Sequence, residues 1–147
     1  MASFTPTNDF YGHMPNGVHD LSSNTLKLAL SNTAPSAETS DPTADGNGVL
    51  ANVTEIAYTN LVSQTQTVSS SSQTGGTYKL ILDDFNMEAS GGSVGPFRYI
   101  YLYDDTATND EILGYYDYGS ELTLADGEKL NMDYSETDGV LQVAAAV

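Results

Sequence analysis

The amino-acid sequence predicts an all-β protein, and three observations predict it. No stretch carries apolar residues at i, i+3, i+4 and i+7 over three turns without an interrupting Gly or Pro. Short runs that alternate apolar and polar residues recur instead. Clusters of Gly, Pro, Asn, Asp and Ser separate those runs, and many short strands spaced in this way build a sandwich or a barrel. The chain of 147 residues is the size of one domain. A domain of that size can bury roughly 68–70% of its unfolded surface, enough for a core that needs neither disulfide nor metal.

In chain order, residues 1–23 show neither strand nor helix periodicity, yet they contain Phe4, Phe10, Tyr11 and Met14. Left exposed on a monomer, these side chains would be an aggregation liability, so the segment reads as an extended N-terminal arm that packs on another chain. Residues 24–147 then form a single β domain. Its first strand places Leu26, Leu28 and Leu30 on one face. Residues 53–62 and 66–69 are weaker strand candidates. Residues 34–48 (APSAETSDPTADGNG) and 69–76 (SSSSQTGG) read as loops within the domain.

Tyr78, Leu80 and Leu82 alternate, but the apolar positions switch from even to odd at Phe85 and Met87. Such a switch predicts a bulge or a crossing between sheets. Residues 98–103 (RYIYLY) are apolar or aromatic on both faces, the mark of a central strand. Ile100 and Leu102 lie on one face, opposite a ladder of Tyr99, Tyr101 and Tyr103. Residues 112–118 and 121–125 follow as strands, and Asp126-Gly127 is a hairpin-turn candidate. Leu130, Met132 and Tyr134 alternate, Asp138-Gly139 turns again, and residues 140–143 form the last strand.

Charge narrows the function. Lys27, Lys79, Arg98 and Lys129 face 20 acidic residues, for a formal net charge of -16. Four scattered cations cannot displace the counterions of a nucleic acid, and an anionic membrane would repel the chain. Neither is therefore expected as a partner. The acidity fits either docking on a basic surface or simple solubility. No apolar run approaches the ~18 residues of a membrane span, and the first residues lack the basic start and apolar stretch of a secretory signal. The expectation is synthesis in the cytosol, where the chain stays or which it leaves by lysis.

Candidate chemistry is sparse. Without cysteine there is no thiol catalysis, zinc-thiolate site or disulfide. His13 and His19 lie six residues apart in the irregular N-terminal segment, with no HExxH, G-x-S-x-G or P-loop nearby, and read as ordinary loop histidines. Carboxylates abound, but a glycosidase needs two of them across a cleft, and the tryptophans that commonly stack on sugars are missing. The densest oxygen cluster, with Asp104, Asp105, Asp110 and Glu111, is a calcium candidate. Its spacing lacks the Gly at position six and the Glu at position twelve of an EF-hand, so a solvated loop is the competing reading. Asn52-Val53-Thr54 matches a glycosylation sequon, but nothing indicates a secretory route. No enzymatic activity and no cofactor are expected. Six tyrosines crowd residues 99–118; Tyr99, Tyr101 and Tyr103 form either a contact surface that tolerates water or a half-buried sheet face.

Several segments carry a family resemblance. NTLKLAL at 24–30 resembles the "NDTLKVALLTS" start of a broad group of small tailed-bacteriophage virion proteins. SGGSVGPFRYIYLYDDTATND at 90–110 is similar to that group's "ARYAVIYDDT" strand and loop, and ILGYYDYG at 112–119 to its "LIGYVDFG". The close likeness covers 26–30 and 98–119; between 34 and 76 the group's "GTGYTAGG" element is replaced by EIAYTN at 55–60. The resemblance implies a jelly-roll-like antiparallel β-sandwich that serves as capsid cement or decoration on the exterior of the head. It would bind across capsomer junctions, with the major capsid protein and copies of itself as partners. The alternative is a tail or baseplate component, or an adhesin module that binds a host glycan in a concave aromatic and acidic pocket.

Overall fold

Alternation of leucine with smaller or polar residues fixes the centre of the molecule. In a computed structural model describing residues 3–35 and 48–146, Leu26, Leu28 and Leu30 of strand β2 (Leu26–Ser31) point into the main core, each almost wholly buried. Before it come the two-residue β1 (Thr5–Pro6) and a single helical turn, α1 (Phe10–His13). After it come a 3₁₀ turn (Leu50–Asn52), β3 (Thr65–Gln66), β4 (Val68–Thr74), β5 (Thr77–Leu82) and β6 (Phe85–Glu88). The long strands β7 (Val94–Asp104) and β8 (Ile112–Leu124) follow, then β9 (Lys129–Met132) and β10 (Leu141–Ala144).

Among the described residues the strands form a five-stranded sheet in the order β1-β8-β7-β2-β3, a three-stranded sheet β10-β5-β4 and a β6-β9 pair, all antiparallel. The core lies between the five-stranded sheet and the other two. Leu28, Leu30, Ile100, Leu102 and Leu113 meet Leu80, Leu82, Met87, Met132 and Leu141 there. The fold is therefore an all-β sandwich of antiparallel sheets. Strand β7 sits between β8 and β2, with Ile100 and Leu102 facing the core. The phase switch after Leu82 is a crossing between sheets: β5 pairs with β10 and β4, whereas β6 pairs with β9.

Four expectations are corrected. Residues 1–23 are not an extended arm where they are described: Thr5 and Pro6 pair with Tyr115 and Gly114, and Phe10 and Leu21 enter the main core. Burying a Phe side chain stabilises by roughly 1.5–3 kcal/mol, and the chain's own core offers that site without the entropy cost of association. Residues 69–76 are not a loop. They form most of β4 and a two-residue turn, in which Gly75 and Gly76 take φ +62° and +83° as a type I′ hairpin requires. A run of serines gives no apolar alternation because β4 is an edge strand. Asp126-Gly127 joins β8 to β9, which do not pair, so it is a corner between sheets and not a hairpin. Among the described residues, 53–62 contribute to the sheets only the isolated bridges of Glu55 with Ser31 and Leu61 with Ala89. Most of the predicted loop at 34–48 lies outside the described residues.

Residues 112–118 and 121–125 merge into one interrupted strand. Between the pairs Phe97–Leu122 and Tyr99–Asp117, the single residue Arg98 faces residues 118–121, and Gly119 takes φ +93° to make the excursion.

Candidate functional site

The turn between β7 and β8 is the densest polar construction in the described chain. Asp104, the last residue of β7, is fully buried and accepts four hydrogen bonds. Two come from the backbone N–H groups of Thr106 and Ala107, at 3.0 and 3.1 Å, and close the turn. The other two come from the N-terminal segment: His19 Nδ1 at 2.9 Å and Asn24 Nδ2 at 2.7 Å. Burial disfavours the charged form of this carboxylate, but the hydrogen bonds from His19, Asn24 and Thr106 outweigh it and hold the group below the ordinary aspartate range. Asp104 thus ties residues 19–24 to the sheet.

The other calcium candidates are largely engaged within the fold. Asp105 pairs with Lys27 Nζ at 2.8 Å, and Glu111 accepts from the N–H and side-chain amide of Asn109, both at 3.1 Å. Asp110 sits at φ +53°, and its carboxyl is raised above the usual range by burial first and by Asp105 and Glu111 second. Among the described residues no three His, Asp or Glu side chains are grouped to hold a metal ion.

His19 is the residue that sequence reasoning missed. Its side chain and that of Asp104 are both shut off from solvent. The Nε2 of His19 and the Nδ1 of His13 are buried without a hydrogen-bond partner among the described residues, and the two rings lie 6.1 Å apart, centre to centre. An Asp–His pair can aim an imidazole at a nucleophile, but among the described residues the second nitrogen meets no hydroxyl, and the contact the structure shows is a pin between the N-terminal segment and the sheet. Its partners are 85 positions apart, so no motif could have signalled it. Beside it, a cleft of about 500 Å³ separates the N-terminal segment from the β10-β5-β4 sheet, with Met14, Leu21, Tyr78 and Val143 among its lining residues.

The predicted contact residues divide sharply. Phe10 is core, and Phe4 packs its ring 5.2 Å from that of Tyr116. Met14 packs against the same core, while Tyr11 is 59% exposed. The tyrosine ladder faces a second, smaller core formed with Ala29, Leu50, Val53 and Ile112 on the outer side of the five-stranded sheet. Tyr101 is fully buried and its hydroxyl donates to the Thr33 carbonyl at 2.7 Å; Tyr103 is buried and Tyr99 half-buried. The ladder is therefore a covered sheet face rather than an open contact surface.

The cations are spent internally as well. Arg98 grips Asp117 with two bonds of 2.8 and 3.0 Å, and Lys129 lies 3.3 Å from Glu88. Lys79 donates to the Thr137 carbonyl at 2.9 Å, and Lys27 is held by Asp105. Every Lys and Arg of the chain thus has a partner within the fold, and the remaining carboxylates set the surface potential. Compared with protein-family models, curated proteins and solved structures, the chain matches none of them.

Proposed function

We propose that this chain is a non-enzymatic virion protein of a tailed bacteriophage, a cement or decoration protein that binds across capsomer junctions on the exterior of the head. The observation that carries the reading is the one-sided charge. A small sandwich with net charge -16, whose four cations are all engaged by its own groups, presents a surface suited to a basic partner. The resemblance to small phage virion proteins supports the choice of partner. Its two close stretches, residues 26–30 and 98–119, fall on β2, β7 and most of β8, the three adjacent central strands of one sheet.

Imaging of the particles that carry this chain by electron cryo-microscopy tests the proposal. The expected result is density for a sandwich of this size on the outer head surface, at the boundaries between capsomers. Density confined to the tail or baseplate, or particles without the chain, would overturn the head assignment.

A further inference from the structure

Residues 56–78 contain no charged side chain, the longest such run in a chain that is otherwise densely acidic. This run supplies two edges at once. Strand β3 ends the five-stranded sheet, and β4 ends the β10-β5-β4 sheet, so two edge strands on one flank of the sandwich are built from uncharged residues. Natural edge strands are usually blunted by charge, Pro or a covering element, because their free N–H and C=O groups invite another strand. From Ser70 to Thr74, β4 carries neither charge nor Pro.

The hairpin register identifies the free groups. Thr74 and Thr77 flank a two-residue turn and form a hydrogen-bonded pair, so along β4 the residues bonded to β5 alternate from Thr74. Ser72 and Ser70 bond inward to Lys79 and Ile81; Ser71 and Gln73 direct their N–H and C=O groups outward. We infer that this edge binds the β4 edge of a second copy of the chain, antiparallel about a two-fold axis at Ser72. Ser71 of each copy then exchanges backbone bonds with Gln73 of the other, about four bonds in all. The ladder becomes a continuous six-stranded sheet. The register shift at Ser69 disfavours an axis one residue earlier, because it disrupts the strand where a third bonded pair would form.

Charge selects the occupant. Two domains of -16 repel each other over most of their surfaces, and the uncharged edge strand is where they approach at least cost. Asp20 beside Ser71 and Gln73, Asp83, Asp84 and Glu136 beside Ser69 and Ser70, and Asp138 beside Ser72 add repulsion that salt screens. Self-association should therefore strengthen as salt rises, whereas association with a basic shell should slow. The inference rests on the proposed function, to which it adds a contact between copies of the chain, and is tested on the purified chain alone, so its failure leaves attachment to particles standing.

Sedimentation equilibrium across a concentration and salt series should give a mass twice 15.6 kDa, more completely at higher salt. Ser72→Lys, which places like charges face to face, should give a monomer with unchanged melting. Gln73→Pro, which removes an outward N–H, should also give a monomer, though it forfeits the turn bond that the Gln73 side chain accepts from the Gly76 N–H at 2.9 Å. The chain has no native cysteine, so Ser72→Cys should cross-link on oxidation, facing residues being about 4.5 Å apart between Cα atoms. A monomer at every concentration and salt, or a dimer that survives Ser72→Lys and gives no Ser72→Cys cross-link, would overturn the inference.

Discussion

Asp104 concentrates more structural consequence than any other polar residue of the described chain. Replacing it with Ala leaves His19, Asn24 and two backbone N–H groups without their buried acceptor. Loss of one member of a buried charged network of this kind costs about 3–5 kcal/mol, which chemical denaturation would measure. A shift of under about 0.5 kcal/mol would show that the turn and the N-terminal segment stand without it. The same residue sets an acid limb. Because its carboxyl titrates lower in the folded chain than in the unfolded one, its contribution is complete above the ordinary aspartate value of 3.8 and is lost as pH falls through the lower, folded value. Melts taken from neutral pH down to about pH 2 should therefore be flatter at the acid end for Asp104→Asn than for the native chain. Leu102 tests the apolar side of the same strand. It is 1% exposed in the main core, and Leu102→Ala should cost about 2–5 kcal/mol in a denaturant melt, against less than about 0.5 kcal/mol for a surface site.

Elements built on apolar alternation were legible from sequence. Strands β2, β5 and β7 lie where Leu26, Leu80 and Ile100 with their i+2 partners place them, and the phase change after Leu82 marks the passage from one sheet to another. Strand β4 was hidden because its serines bury little apolar surface, and its conformation is imposed by pairing with β5. The N-terminal segment was legible in composition but not in destination. Phe4 and Phe10 announce burial, and nothing local says whether it occurs in the same chain or another. At the candidate site, the acidic cluster was visible, but the His19–Asp104 pin depends on a contact across 85 positions that only the fold creates. Gly114 reports on how the N-terminal segment docks. A Cβ there would collide with the Phe4 ring and the Thr5 carbonyl oxygen, so β1 needs a glycine opposite it. Gly114→Ala should displace β1 at a cost of about 1–3 kcal/mol and speed proteolysis near Thr5 while the rest of the domain stays folded. Unchanged stability and cleavage would mean that β1 contributes little to docking.

Over the whole molecule, the charge that makes copies repel one another would, on the proposed function, also govern how the chain meets a shell. Exposed ion pairs contribute about 0–1 kcal/mol each and are screened by salt, so charge alone would give reversible, salt-labile attachment. With Phe10 committed to the core and the tyrosine ladder covered, the large apolar side chains still exposed among the described residues are Tyr11, Val62 and Tyr118. On the proposed function, these and uncharged backbone edges would supply salt-resistant affinity, while carboxylates would set the rate and direction of approach. Added salt should accordingly slow binding of the purified chain to shells lacking it, yet release little of the chain already bound at moderately high salt. The measurement is a pair of time courses, uptake and release, over one salt series. Rapid stripping by salt would mean that charge carries the affinity as well as the approach. A chelator arm addresses the acidic turn. The Asp104 and Glu111 carboxylates accept hydrogen bonds within the fold and Asp105 is paired with Lys27, so chelation of divalent cations should leave bound protein in place. Release by chelator alone would instead place a cation at that turn, in the contact between chain and shell.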